Sequence, residues 1–144
     1  MYSLCDVNFI LNLVHDRQAH HKHAKDWMAA RTERAEVGIT RSTQIAVLRL
    51  LNNPAVMGVD LCDGRAAWAV MDGLFEDRRM VLLSDPPDLD QRLREFTMKI
   101  KYSPKVWSDA FLAAFALAAG RRLVTFDQGF RAYRGVDVEL LGSL

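Results

Sequence analysis

A mostly parallel β-sheet covered by helices on both faces is the fold class this sequence predicts, and three observations carry that prediction. Short apolar runs of strand length alternate along the chain with amphipathic stretches at helical spacing. The strand-length runs are almost continuously apolar, as strands buried on both faces must be. The chain has 144 residues, of which 50% are hydrophobic and 26% charged, with no repeat, low-complexity tract or linker. That describes one domain over residues 1–144, able to bury about 68% of its unfolded surface without disulfide or metal staples.

Residues 2–5 read as a buried strand ending at Asp6, and 7–14 continue at helical spacing through Phe9, Ile10, Leu13 and Val14. A polar break at 15–18 leads to a second helix over 19–30, with Ala24, Trp27 and Met28 on one face. Residues 36–39 form the next strand. The hydroxyls between Thr40 and Thr43 then cap a helix running to about Leu51, with Ile45, Leu48 and Leu51 or Asn52 as its inward row. Asn52-Asn53-Pro54 ends it. Asp60 is expected to cap a fourth helix over 61–74, followed by a strand at 80–83 and a loop at Asp85-Pro86-Pro87-Asp88. A short helix over 89–96 precedes a long one that starts at Ser103-Pro104 and stops at Gly120. Arg122-Leu123-Val124 is the next strand, Thr125-Phe126-Asp127 follows it, and 136–140 is a weak last strand.

Several classes are excluded. No signal-peptide pattern opens the chain, and no apolar run approaches the ~20 residues of a membrane span. Two cysteines, Cys5 and Cys62, are too few for a disulfide framework and read as small buried hydrophobes. A soluble cytoplasmic protein is the expectation.

In parallel α/β folds ligands collect at the carboxyl ends of the strands. Asp6 directly follows the first strand and Asp127 directly follows the strand at Leu123-Val124, so both carboxylates should emerge on that edge. Asp109 is the third acid, near the start of the long helix, in the apolar setting Trp107-Ser108-Asp109-Ala110-Phe111-Leu112. A carboxylate there is costly unless a cation or donor compensates it. Taken singly, Asp6 and Asp127 could merely cap following helices and Asp109 could answer its own helix dipole. Together, three acids on one edge predict a site for Mg²⁺ or Mn²⁺, which prefer carboxylate oxygen and water.

The chain resembles the PIN-domain ribonucleases of the VapC toxin type. The resemblance runs through Leu4-Cys5-Asp6-Val7-Asn8, Val47-Leu48-Arg49-Leu50-Leu51-Asn52-Asn53-Pro54, Trp107-Ser108-Asp109-Ala110-Phe111-Leu112-Ala113 and Val124-Thr125-Phe126-Asp127-Gln128-Gly129-Phe130. It implies a PIN-like three-layer sandwich and Mg²⁺- or Mn²⁺-dependent endoribonucleolytic cleavage by metal-activated water, with 3′-hydroxyl and 5′-phosphate products. It also implies a homodimer, and inhibition by a VapB-type antitoxin of a type II toxin–antitoxin system. Asp6, Asp109 and Asp127 match the family's acids, Asp6 and Asp109 foremost as ligands, with Asp127 placing a second ion or the attacking water. Asn8 and Thr125 match accessory polar positions. Gln44 stands where the family usually has a glutamate, which puts tight binding of a second metal in doubt.

Arg49, one and a half turns beyond Gln44, is expected to reach the scissile phosphate or a buried acid. The alternative is a solvent-facing helix arginine. His20, His21 and His23 suggest zinc, and His20 and His23 share a spacing that suits one helix face, but no fourth-ligand pattern accompanies them, so they read as helix-surface residues that contribute to RNA or antitoxin contacts when partly protonated. Trp27, Trp68 and Trp107 read as core. Two other functions compete with the nuclease: a silent PIN-like module that binds RNA or protein, favoured by Gln44, and a phosphoryl-transfer or receiver domain using Asp6. The second lacks a D-x-D pattern, since Asn8 stands at its second position. The net charge of +1 averages +4 over residues 17–49, −5 over 50–90 and +4 over 91–144, with −2 over 1–16. A polyanion would therefore be met locally, not by a uniformly basic surface.

Overall fold

The computed structural model describes residues 1–142. Its elements in chain order are β1 (Ser3–Cys5), α1 (Val7–Val14), α2 (His21–Ala29), β2 (Val37–Ile39), α3 (Arg41–Leu51), α4 (Pro54–Met57), a 3₁₀ turn (Gly58–Asp60), α5 (Gly64–Glu76), β3 (Met80–Leu82), α6 (Leu89–Thr97), α7 (Val106–Ala119), β4 (Arg122–Thr125), a second 3₁₀ turn (Gln128–Ala132) and β5 (Val138–Leu140). The strands form one sheet in the order β3-β2-β1-β4-β5, and every neighbouring pair is parallel.

Register decides which face each side chain enters. Leu4 lies opposite Leu123 and Cys5 opposite Val124, so successive residues point to opposite sides of the sheet. Cys5 and Val124 join Phe9, Ile10, Ile39, Val47, Leu51 and Met71 in a core beneath α1, α2, α3 and α5. Leu4 and Leu123 join Leu89, Leu112, Phe115 and Phe130 in a second core beneath α6 and α7. The result is the predicted three-layer arrangement, with a sheet parallel throughout. In the middle of β2, Gly38 leaves room for Leu83; a Cβ there would collide with the Leu83 side chain.

Chain direction then sets the functional edge. α7 ends at Gly120, whose φ of +66° is the left-handed turn a glycine takes without strain, and the chain passes directly into β4. The start of α7 therefore lies at the carboxyl end of the strands, where α1 and α3 also begin. Between β1 and β4 the connectivity reverses, β1 leading to β2 on one side and β4 arriving on the other. That is the switch point at which such sheets open a crevice.

Several expectations are corrected. Asp63, not Asp60, caps α5 by accepting the Ala66 N–H at 2.8 Å. Asp60 instead ends the turn after α4 and meets His15 Nε2 at 2.9 Å and Arg17 Nε at 2.7 Å. The unanticipated α4 forms because Asn53 accepts the Ala55 N–H and Pro54 occupies the first helical position. α2 and α7 start two to three residues later than expected, since neither His20 nor Lys105 offers a side-chain cap. The buried row of α3 is Thr43, Gln44, Val47 and Leu51, whereas Ile45 is exposed. Trp27 is core, but Trp68 and Trp107 are each about half exposed, at 47% and 49%. Trp68 follows buried Ala67 by one position and so misses the core face, while Trp107 lies in the first turn of α7, ahead of the buried stretch that begins at Ala110.

Candidate functional site

Asp6 is the first residue after β1 and the N-cap of α1, its Oδ1 accepting the Phe9 N–H at 2.8 Å. The other oxygen accepts the Thr125 hydroxyl at 2.5 Å across the β1–β4 switch point. The same hydroxyl accepts the Asp127 N–H at 2.9 Å, so Thr125 ties the two acids together. Asp127 caps the 3₁₀ turn through Oδ1, which accepts the Gly129 N–H at 2.8 Å. Asp109 sits in the first turn of α7, half-buried, and makes no hydrogen bond among those of the described residues.

The charges of these carboxylates are felt by one another. Asp6 is buried, and burial pushes its carboxyl up to about 6, opposed by the Thr125 and Phe9 hydrogen bonds and reinforced by the charges of Asp127 and Asp109. Asp109 is raised as well, first by burial and then by Asp127. Among the described residues no ion pair involves any of the three.

A model of the PIN domain matches residues 3–136 of the sequence. The chain belongs to the PIN domain family. Ribonuclease VapC41 of Mycobacterium tuberculosis is 38% identical, over 97% of this chain and 99% of that protein. Ribonuclease VapC44 of the same organism is 31% identical, over 89% and 87%. Among solved structures, the M. tuberculosis VapC20 toxin, described as cleaving the sarcin-ricin loop, superposes with a TM-score of 0.66 at 22% identity, covering 94% of this chain and 98% of that one. VapBC2 of Rickettsia felis, bound to a promoter DNA fragment, gives 0.69 at 12% identity, over 99% and 100%. These superpositions establish that the PIN fold is shared over the whole length.

By chemistry the three acids suit a hard divalent cation: all oxygen, anionic, drawn from three separate elements, and with no ion-pair partner among the described residues. Among the described residues Asp109 and one oxygen of Asp127 accept no hydrogen bond, and a carboxylate oxygen that accepts one bond keeps a further lone pair. Among the described residues no three His, Cys, Asp or Glu side chains stand close enough together to hold one ion. Replacing Thr125 by Val removes the hydroxyl that orients both Asp6 and Asp127 while keeping the shape of the β4 residue. The expected result, by calorimetric titration with Mn²⁺, is a roughly 10–100-fold loss of affinity; unchanged affinity would show that this hydroxyl does not organise the acids.

The remaining predicted residues of this PIN domain divide. Asn8 lines a cleft next to Asp127. Gln44 is buried on α3, and its Oε1 accepts from Arg41 Nη1 at 2.7 Å. Arg49 is exposed and pairs with no acid among the described residues; it lines a separate groove with Ala46, Leu50 and Pro54, so the solvent-facing alternative describes it. Two residues near the acids are not placed at the site by the sequence: Tyr133, which it leaves unread, and His20, which it reads as a helix-surface residue. Tyr133 packs edge-on against Phe96, ring centres 5.2 Å apart, and its hydroxyl is raised by burial and then by the charges of Asp109 and Asp127. His20 lines the same cleft as Asn8. Neither has a local sequence signal, because each reaches the site only through tertiary packing.

Proposed function

We propose that this chain is the toxin of a type II toxin–antitoxin pair and acts as a Mg²⁺- or Mn²⁺-dependent endoribonuclease. The reading is supported by a PIN domain 38% identical to a ribonuclease in which Asp6 and Asp127 follow β1 and β4 at the switch point, Asp109 opens α7, and none of the three has an ion-pair partner among the described residues. A bound divalent ion supplies positive charge that activates water and stabilises charge developing on the phosphate and leaving oxygen. Asp6 and Asp109 would hold the principal ion. Asp127, tied to Asp6 through Thr125, orients the attacking water or a second ion. The backbone N–H groups of Phe9 and Gly129 fix the directions of Asp6 and Asp127, so little reorganisation accompanies the reaction.

A VapB-type antitoxin is the protein partner and a homodimer the working assembly. No helix among the described residues is long and apolar enough to cross a membrane. The identity of the function is tested by mapping RNA ends in cells after induction of the wild type and of Asp109→Asn. New 5′-phosphate ends confined to the wild type are the expected result; identical end maps would refute it.

Gln44 limits the second metal position, since a neutral amide held by Arg41 adds no charge to the site. In Gln44→Glu the new carboxylate keeps Arg41 as a neighbour, which offsets its charge. Mn²⁺ affinity is therefore expected to rise by less than about ten-fold, corresponding to at most ~1.4 kcal/mol. A larger gain in a calorimetric titration would show that position 44 points its charge fully into the acid site.

A further inference from the structure

Beside the acids lies a cleft of about 490 Å³ whose walls include Asn8, His20, Phe126, Asp127, Gln128 and Gly142. Its size is within the roughly 300–1,000 Å³ range of small-molecule sites. The His20 ring stacks on Phe126 with centres 4.6 Å apart and planes 15° from parallel. Phe126 in turn stacks on Phe9 at 6.1 Å, and Phe9 meets Trp27 edge-on at 5.2 Å. An aromatic column thus rises from the core and ends at the cleft.

The position of His20 is built, not incidental. Buried Asn12 accepts the His20 N–H through Oδ1 at 2.9 Å, while its Nδ2 donates to the Asn8 carbonyl at 2.8 Å and to Asn8 Oδ1 at 3.1 Å. One amide on α1 therefore fixes two walls of the cleft. The back wall is bare backbone: a Cβ on Gly142 would lie 2.9 Å from Phe126 and 3.3 Å from His20 Nδ1. The φ of +70° at Gly142 also favours glycine there.

The end of an aromatic stack flanked by side-chain amides suits an unstacked nucleobase, which offers a π-face to the terminal His20 ring and donors and acceptors to the amides. Asp127 forms part of the wall, so a base held here belongs to the nucleotide adjoining the acid site. We infer that this cleft seats the unpaired base next to the scissile phosphodiester, with His20 completing the stacking surface and Asn8 and Gln128 reading the base edge. His20 and Gln128 are then specificity-determining residues. The inference rests on the ribonuclease reading above and names where that enzyme selects its substrate.

The test begins with cut-site maps of total cellular RNA digested in Mn²⁺ by wild-type, His20→Ala, His20→Phe and Gln128→Ala protein. An oligoribonucleotide spanning a mapped site is then titrated against Asp109→Asn protein by fluorescence anisotropy, with each base in turn replaced by an abasic ribose. One abasic position adjoining the cut is expected to weaken binding about ten-fold. That step should vanish when His20→Ala is added and persist with His20→Phe, and Gln128→Ala should relax the base preference at the same position. Cut maps and abasic profiles unchanged in His20→Ala and Gln128→Ala, with Asp109→Asn inactive, would overturn the cleft assignment alone. The same unchanged profiles with weakened antitoxin binding would give the cleft to the protein partner and also overturn it. Failure of the wild type to cut RNA, or full cutting by Asp109→Asn, would overturn the ribonuclease reading itself. Gln128 is exposed, so its variant carries the comparison even if His20→Ala fails to fold.

Discussion

Asp109→Asn protein is expected to cleave RNA at least about a thousand-fold more slowly than the wild type, with an unchanged circular dichroism spectrum. The size of the loss follows from removing one of the charges that hold the ion, whose contribution to the transition state is several kcal/mol at ~1.4 kcal/mol per factor of ten. Folding should survive because Asp109 accepts no hydrogen bond among the described residues and its charge opposes burial. Asn keeps the shape and removes that electrostatic cost. Asp6→Asn should be similarly inactive. Asp127→Asn should lose less, since the amide oxygen still caps the 3₁₀ turn through Gly129. The comparison must include EDTA: wild type and Asp109→Asn cutting equally well in its presence would mean that cleavage needs neither the ion nor this carboxylate.

The features legible in the sequence are those fixed by neighbours a few residues away. Asp6 after an apolar strand, Thr40 ahead of α3, Gly120 closing α7 and Asp127 after β4 all appear where the residues placed them, and each is explained by a cap or a turn. What could not be read depends on distant partners. Asp60 and Asp63 look alike as caps; the choice is settled because Asp60 is held by His15, 45 residues away. Ile45, Trp68 and Trp107 are apolar, but a residue's hydrophobicity does not say which side of its helix meets the sheet. The same limit applies to the site. The edge on which the acids emerge followed from chain order, whereas Tyr133 and the His20 cleft required α2 and the final turns to fold back over α1 and β4.

Asp6 should also make the metal-free protein less stable as the pH rises. Its carboxyl titrates at about 6 in the folded chain against 3.8 for an unburied aspartate, so the folded state holds the proton more tightly than the unfolded state. The stabilisation is complete below pH 3.8 and is lost as the pH passes through 6, amounting to about 3 kcal/mol in total and about 2 kcal/mol between pH 4 and pH 7. Asp60 and Asp77 are shifted downwards by His15 and Arg79 respectively, and their contribution has the opposite sign, fully present above the ordinary carboxylate range. Subtracting the behaviour of Asp6→Asn isolates the one group, because the amide still accepts the Phe9 N–H as a cap and does not titrate. In EDTA, the midpoint of wild-type unfolding should fall relative to Asp6→Asn by roughly 5 °C from pH 4 to pH 7. Mn²⁺ at pH 7 should recover it for the wild type and much less for the variant, since a bound cation stabilises the ionised form. Parallel melting curves for the two proteins across that range would show that the Asp6 carboxyl titrates normally and that burial at the switch point does not strain its charge.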